Sequence, residues 1–595
     1  MILQALYQHY QRLREESDSG IAPPGYSPAK VSHAVLLTEN GELTAVWTLE
    51  NDTGKKKLPK ILLVPEQPTR TSGIAAQILC DNASYVLGIA RNGQDKDYAA
   101  RQYADFQSKN VAFLSEIDSP GARAVRKFLK TWNAEDALTH PVIMSHLDSL
   151  REGSNIVFRM AEGSGYIHEE PEIRTAWQTR IGRGDDAEET QCLVTGEILP
   201  AARLHPLIKG VAGAQTSGAS LVSFNADAFT SYGKSQSFNA PVSRQAAFAY
   251  GTALNYLIAS ERNRLRMADM TMVFWADKPG ARLEEAVLSW SLDPVSPEAG
   301  GKEGSRQIDY IAARQAKTVL EEIRQGKLSQ DTSFNPDVRC YLLGLAPNAA
   351  RLSVRFWEVS SFGSLLERIG RHYNDMEIAG IERMGGLISP WRALKAVAVQ
   401  EDSGNIPPLL AGQYVKSILS GQMYPQAIYH LALRRCRTGG EHGGVSTIRA
   451  AVIKAFLLRK DDKDKLQKEA LISVSLNETH PEPAYHLGRL FSLLEKVQKD
   501  ALGQLNASIR DRYFGAASAT PAAVFPLLLR LARHHIAKSE YGGLSDRKIQ
   551  QVINRLDGFP RHLSLDEQGY FILGYYHQNQ ANYVKNESAV NEKKG

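Results

Sequence analysis

Cysteine is scarce in this sequence: four occur in 595 residues, at Cys80, Cys192, Cys340 and Cys436. They lie far apart and form no CxxC pair, which argues against a disulfide framework or a zinc site. Long apolar runs are also missing, and no stretch approaches the roughly 20 residues that a membrane helix needs. The first residues, Met1-Ile-Leu-Gln-Ala-Leu6, lack the basic start and small-residue cleavage site of a secretory signal. These absences lead to the expectation of a cytoplasmic protein with no membrane partner. Charge of one sign is missing too. The 70 basic and 65 acidic side chains leave a net charge of +5, so any basic surface must be a local stripe. Sets of catalytic or metal-ligating residues are equally thin. His168-Glu169-Glu170 lacks the second histidine of a zinc-protease helix, adjacent His534 and His535 face different sides of a helix, and Asp185, Asp186, Glu188 and Glu189 read as a hydrated acidic loop. No catalytic residue, no metal, no cofactor and no enzymatic activity are expected.

What is there is ordinary globular composition, 43% apolar and 23% charged, over a length that calls for two to four domains. Apolar spacing predicts a helix over residues 1–16, a hairpin of Val31–Leu37 and Leu43–Leu49 turning at Asn40-Gly41, and strands at Lys60–Val64, Tyr85–Ala90 and Ile156–Phe158. Helices are predicted at Tyr98–Phe113, Ala122–Trp132, Pro171–Trp177 and Ser243–Asn263, the last with Ser243 as its N-cap. Met270–Ala276 reads as a buried strand. After a flexible segment at Ser296–Ser305 comes a helix, Ile308–Lys327, then strands Arg339–Leu345 and Leu352–Trp357 and a helix Gly363–Tyr373. Beyond Pro407-Pro408 the pattern is helical. A charge run, Arg459–Lys465, marks a solvated boundary. Apolar stripes at Leu487, Leu490, Phe491, Leu494, Val497, Ala501 and Leu505, at Val524, Leu527, Leu528 and Leu531, and at Ile549, Val552, Ile553 and Leu556 predict a three-helix bundle. The expected architecture is a multidomain α+β fold. It has an N-terminal α+β domain at 1–295, a β-β-α continuation at 306–400, and a helical region at 409–595 whose bundle spans about 480–580. The end, Asn582–Gly595, is polar and expected to fray.

The densest stretch runs from Gly210 to Asn225 and on from Gly233 to Ser243. It sets glycines, hydroxyls, amides and one lysine around a short apolar strand, Leu221–Phe224. Freed backbone N–H groups with Lys209, Gln215, Ser217, Lys234, Gln236 and Asn239 suit a phosphate-rich ligand. Ala228–Ser235 fits a loose phosphate-loop pattern, and Val273–Asp277 imitates the strand and aspartate that hold magnesium. This gives a rival reading, a nucleotide hydrolase using Lys234, Ser235 and Asp277. Bulky Phe229 and Tyr232, and Pro241 soon after, weigh against a phosphate cradle with a helix beginning at the lysine. Arg262, Arg264 and Arg266 crowd the predicted end of the Ser243 helix, where cations favour the dipole. Arg530, Arg533, His534 and Lys538 form a basic ridge that Arg547, Lys548 and Arg555 extend. Such a ridge is either a solvated face or a strand-binding one.

Several stretches together resemble the large subunit of the type I-C CRISPR surveillance complex, Cascade. They are Arg70-Thr-Ser-Gly-Ile74 with Leu79–Gly88; Tyr166-Ile-His-Glu169 before Trp177; Cys192-Leu-Val-Thr-Gly-Glu197; His205–Val211 running through Val242; and Thr271–Ala276. The similarity is collinear over nearly the whole chain. It implies a non-catalytic subunit of an RNA-guided DNA-binding assembly, in which guide pairing reads sequence and protein reads a short flanking motif in the duplex. The implied partners are guide RNA, target double-stranded DNA, the backbone and guide-end subunits of Cascade, and a separate helicase-nuclease. Small subunits made from this chain's own C-terminal region by an internal start are implied as well. Met423 is the last methionine, so a shorter product begins there or at a non-standard start codon. The candidate flank-reading residues are Thr71, Ser72, Gly73, Gln77 and Asn82, where some relatives have a Lys-Pro-Asn-like run in place of Ala75-Ala76-Gln77. Arg530, Arg533, Lys538, Arg547, Lys548 and Arg555 become candidates for holding the displaced strand. Two alternatives stay open beside this one: loops that merely dock on neighbouring subunits or the guide's 5′ end, and a purely architectural subunit.

Overall fold

The computed structural model of the protein describes residues 1–16, 18–52, 57–67, 70, 73–152, 155–183, 188–294, 310–324, 334–440, 443–460, 472–503 and 507–583. Thr71, Ser72, Asp185, Asp186, Leu505, the segment 296–305, most of the charge run after Lys460 and the tail beyond Tyr583 lie outside the described residues. The chain forms two compact units. One comprises Met1–Pro206 and Ser223–Ala253, the other Leu207–Val222 and Leu254–Gly595.

The first unit is built on a mixed sheet in the order β3-β4-β1-β6-β5. The strands are β1 (Tyr26–Leu37), β2 (Leu43–Thr48), β3 (Glu50–Asp52), β4 (Lys57–Pro65), β5 (Cys80–Asn82) and β6 (Asn155–Met160). The first half of β1 pairs antiparallel with β4; its second half pairs antiparallel with β2, in the expected hairpin, and parallel with β6. A parallel neighbour needs a crossover, and the chain between β1 and β6 supplies helices Lys96–Leu114 and Pro120–Thr131. Asp95 and Ser119 start these helices as N-caps, and Pro120 sits at a first turn where its missing N–H costs nothing. Val35, Leu37, Ile156 and Phe158 from the sheet meet Phe106, Phe113, Val125 and Phe128 from the helices in one core. A short hairpin, β7 (Glu189–Gln191) and β8 (Ile198–Pro200), follows helix Pro171–Arg183.

The second unit holds a six-stranded sheet in the order β11-β12-β13-β14-β10-β9. Its strands are β9 (Leu207–Ile208), β10 (Ala219–Ser220), β11 (Arg264–Met267), β12 (Met270–Ala276), β13 (Arg339–Asn348) and β14 (Arg351–Ser361). Every residue of β12 is buried, which is why it reads as an unbroken apolar run without alternation. Helices Arg282–Leu292, Tyr310–Arg324 and Phe362–Asp375 share a core with this sheet. The same core continues through helices Leu410–Ser420, Gln426–Arg437, Thr447–Arg459 and Pro483–Leu502 to Leu565–Tyr583. Sheet and C-terminal helices therefore form one contact unit, and the units do not follow the segments 1–295, 306–400 and 409–595. The α+β class and the helical C-terminal region are as expected.

Four local expectations change. Tyr85–Ala90 is not a strand: Asn82 caps a one-turn helix, Ala83–Val86, by accepting from the Ser84 backbone N–H at 3.1 Å. The apolar strand placed at Leu221–Phe224 is the two-residue β10 just before it. The helix after Ser243 ends at Ala259, so Arg264 and Arg266 belong to β11 and not to a helix terminus. The three predicted bundle helices pack together as expected, but a further helix, Leu565–Tyr583, packs along Pro483–Leu502.

Candidate nucleic-acid interface

The loop between β4 and β5 is fixed from beneath by side chains from elsewhere in the first unit. Asp81, next to it in sequence and almost fully buried, accepts from the Gln77 backbone N–H at 3.0 Å and ion-pairs with Arg70. Arg70 also donates to the Ala75 carbonyl at 2.6 Å and lies 4.1 Å from the centre of the Tyr85 ring. Burial pushes the Asp81 carboxyl up, and the Arg70 guanidinium pulls against it. Helix Lys96–Leu114 supplies the rest. Asp105 accepts from the Ala76 N–H at 2.6 Å, and Lys109 donates to the Ala76 carbonyl. Asn110 accepts from the Leu79 N–H at 2.9 Å and donates to the Gln77 carbonyl at 2.9 Å. Leu79 takes a left-handed backbone with φ of 56°, a strained choice for a branched residue that these bonds hold in place. The outer end is open: Gly73 has φ of 80° and nothing near its α-carbon on the side-chain side.

Cations gather at this loop. The Lys109 ammonium is pushed down chiefly by burial, with Asp105 and Asp81 holding it up and Arg180 and Arg70 pushing it down. Arg70, Lys109 and Arg180 thus act on one another with two carboxylates, Asp81 and Asp105, as counter-charges among them. Of the candidates taken from sequence, Gly73 is exposed and Gln77 half-buried. Asn82 is buried, and its side-chain oxygen is committed to the cap and to the Ser84 hydroxyl at 2.5 Å, which removes it from the readers. Asp105, Lys109, Asn110 and Arg180 were missed. For the first three the one sequence signal is polar side chains four and five apart on helix Lys96–Leu114, whose other positions supply core, with Asn110 on the buried face; Arg180 lies on helix Pro171–Arg183 and carries no such signal.

The glycine-rich stretch divides between the units. Lys209, Gln215 and Ser217 belong to the second, in the connection from β9 to β10, and all three are exposed. The Lys209 N–H donates to the Asn255 side chain at 2.7 Å and the Ala212 N–H to the Thr271 hydroxyl at 3.0 Å, which fixes the connection's path. Lys234, Gln236 and Asn239 belong to the first unit. Lys234 is exposed, whereas Asn239 is half-buried and ties the loop to itself. Residues 236–239 form a single 3-10 turn, so no helix starts at Lys234 and the phosphate-loop pattern lacks the helix N-terminus that its chemistry needs. Arg264 and Arg266 are spent on carbonyls, of Ile258 at 2.7 Å and Gly210 at 3.2 Å, and Arg262 is exposed in the turn before β11.

In the helical region, Arg530, Arg533 and Lys538 lie on helix Pro521–Lys538, Arg547 and Lys548 on helix Gly542–Ile553, and Arg555 just after it. Val524, Phe525, Leu528 and Ala532 take the buried side of the first helix, and Ile549 and Val552 that of the second. All six cations are exposed, and among the described residues none forms an ion pair. They remain available to phosphates.

Other polar groups singled out in the sequence have structural work. Glu170 accepts from the Ser119 hydroxyl at 2.5 Å and the Gly121 N–H at 3.0 Å at the start of helix Pro120–Thr131. His168 is buried beside the Leu63 carbonyl and is pushed down to about 4, chiefly by burial. The four cysteines are free and buried. Among the described residues no cluster of three or more His, Cys, Asp or Glu side chains could hold a metal ion, and no helix is long and apolar enough to cross a membrane.

A search of curated proteins found no match. The family model described as CRISPR-associated protein (Cas_Csd1) matches residues 6–583, nearly the entire sequence and both units, and the chain accordingly belongs to the Cas_Csd1 family of CRISPR-associated proteins.

Proposed function

We propose that this chain is the non-catalytic large subunit of a type I-C Cascade. It reads the protospacer-adjacent motif in double-stranded DNA, promotes unwinding and R-loop formation, and helps hold the displaced strand. The assembled complex then recruits the helicase-nuclease. Family membership supports the CRISPR part of this reading. The observation that carries the rest is the loop Gly73–Leu79, held beneath and open above, with Arg70 and Lys109 bonded to its backbone.

A flank reader must meet base edges with preset geometry, because flexible readers lose affinity to ordering. The side chains of Arg70, Asp81, Tyr85, Asp105, Lys109 and Asn110 hold the backbone of Ala75–Leu79, and Gly73 lets the chain approach a groove closely. Nearby cations grip phosphates, and those contacts position the duplex without reading it. Together they offset the cost of opening the first base pairs, about a few kcal/mol per step. The six exposed cations on the C-terminal helices would then line the displaced strand, in the full chain or in small subunits started at Met423.

The test is a binding screen of the assembled complex against targets with randomised flanking bases, repeated with Ser72→Ala and Gln77→Ala. The reading expects Gln77→Ala to relax preference at one or more flank positions, at a cost of about 1–3 kcal/mol. An unchanged preference in both variants would remove this loop as the reader.

A further inference from the structure

Residues 225–235 form a run of eleven exposed positions in the first unit, and at its tip Tyr232 is 100% exposed. A tyrosine in that position contributes no burial to folding, so the fold does not need its ring. Its backbone is left-handed as well, with φ of 52°, followed by Gly233 at 68° and Gln236 at 47°. Bulky side chains avoid that region, and such strain persists only where surrounding bonds enforce it.

The enforcement is visible. One side chain, Asn239, closes the turn from both ends. Its oxygen accepts from the Ser231 N–H at 2.8 Å, and its amide donates to the carbonyls of Lys234 and Gln236, each at 2.9 Å. The Lys234 N–H donates to the Ser231 carbonyl at 3.0 Å across the turn itself. The Thr230 hydroxyl donates to the Asp227 carbonyl at 2.6 Å and stiffens the approach. A rigid, strained turn therefore displays one aromatic ring to solvent, with an exposed lysine two residues on.

The surroundings select the ligand. A protein-binding anchor sits in a contiguous apolar patch with a polar rim. Tyr232 instead has Thr230, Ser231, Gly233, Lys234 and Ser235 around it, and the one other large apolar side chain of the run, Phe229, is 42% exposed. A fully exposed ring with hydroxyls and a cation within reach matches the way proteins hold unpaired nucleotides: the ring stacks on a base face and the cation meets the adjacent phosphate. We propose that Tyr232 is a stacking platform for an unpaired base of a nucleic-acid strand, with Lys234 on that strand's phosphate and Asn239 as the positioning residue. The proposal rests on the reading of this chain as a subunit that handles nucleic acid.

The experiment titrates the purified full-length chain with two fluorescein-labelled single strands of roughly 20 nucleotides, oligo-dT and oligo-rU, which distinguish a DNA source of the base from an RNA one. Tyr232→Ala should weaken binding to at least one strand about ten- to a hundredfold, while Tyr232→Phe stays within about twofold, since stacking needs the ring and not the hydroxyl. Lys234→Ala should weaken binding less and lower the slope of affinity against salt by about one phosphate contact. The proposal is overturned by Tyr232→Ala binding both strands like the unaltered chain, by Tyr232→Phe losing as much as Tyr232→Ala, or by an unaltered chain that binds neither strand. It is overturned too if Tyr232→Ala keeps its strand affinity but drops out of the assembled complex, which would make the ring a protein anchor. Flank discrimination by the assembled complex scores the parent reading separately, so the two can fail independently.

Discussion

Asn110 holds more of the Gly73–Leu79 loop than any residue within the loop. It is fully buried, and its one amide bonds the Leu79 N–H and the carbonyls of Gln77 and Phe106. Asn110→Ala leaves the buried Leu79 donor without a partner and takes one from the partly buried Gln77 acceptor. The expected loss is roughly 2–4 kcal/mol of stability in denaturant unfolding, together with blurred flank preference. A variant as stable as the parent would show that the loop finds other partners. Little of this was legible in the sequence. Gly73 and Gln77 could be singled out because loop glycines and amides announce themselves. Asn110 could not, because a helical pattern records which face is buried but not which distant backbone a buried amide will serve. Asn82 misled for the same reason: an asparagine in a polar stretch looks like a reader, and its role as an N-cap shows only once the short helix after it is seen.

At the scale of elements, long periodic segments were the readable ones. Helices Lys96–Leu114 and Pro483–Leu502 carry clear apolar stripes and N-terminal signals, and β12 and the middle of β13 are largely apolar and buried. Helix Leu565–Tyr583 escaped because its residues from Gln568 to Gln578 are buried with one exception, Tyr570, so polar and apolar positions do not alternate. Two glycines explain its close fit against Pro483–Leu502. A β-carbon at Gly488 would overlap the Phe571 carbonyl, and one at Gly574 would overlap the Tyr485 carbonyl. Both obstacles are backbone, which cannot swing aside. Gly488→Ala should therefore cost about 1–3 kcal/mol or more, read as a lower denaturant midpoint at unchanged slope. Gly543→Ala, on an open helical surface with nothing near the added carbon, is the matched control and should be neutral or stabilising by up to about 1 kcal/mol. Equal effects of the two substitutions would contradict the close-packing account.

At the scale of the molecule, the position of Met423 has a thermodynamic consequence. Helix Thr447–Arg459 follows it, but the helix's buried cations are served from upstream. Arg459 pairs with Asp375 at 2.6 Å and donates to the Gln422 carbonyl at 2.8 Å. Arg449 donates to the Ala396 carbonyl at 2.6 Å and pairs with Glu401 at 2.8 Å. Removing one member of a buried pair costs about 3–5 kcal/mol, so Asp375→Ala should destabilise the full chain by that order. A product started at Met423 lacks both carboxylates. Its amides across Thr447–Arg459 should exchange with solvent faster than the same amides in the full chain, measured by hydrogen exchange on the two products. Equal protection would mean that the shorter product supplies its own partners. The single core shared by β-sheet and C-terminal helices was not legible from composition, because the change to an all-helical pattern after Pro408 marks a change of secondary structure and not of packing.

The central claim is that this subunit, and not guide pairing alone, decides which duplexes are entered. The most direct measurement compares complexes assembled with and without the chain on guide-matched targets carrying either an authentic flank or the flank of the host's own spacer array. With the chain present, only authentic flanks should be opened; without it, discrimination between the two should vanish. Complexes lacking the chain that still tell the two flanks apart would contradict the account.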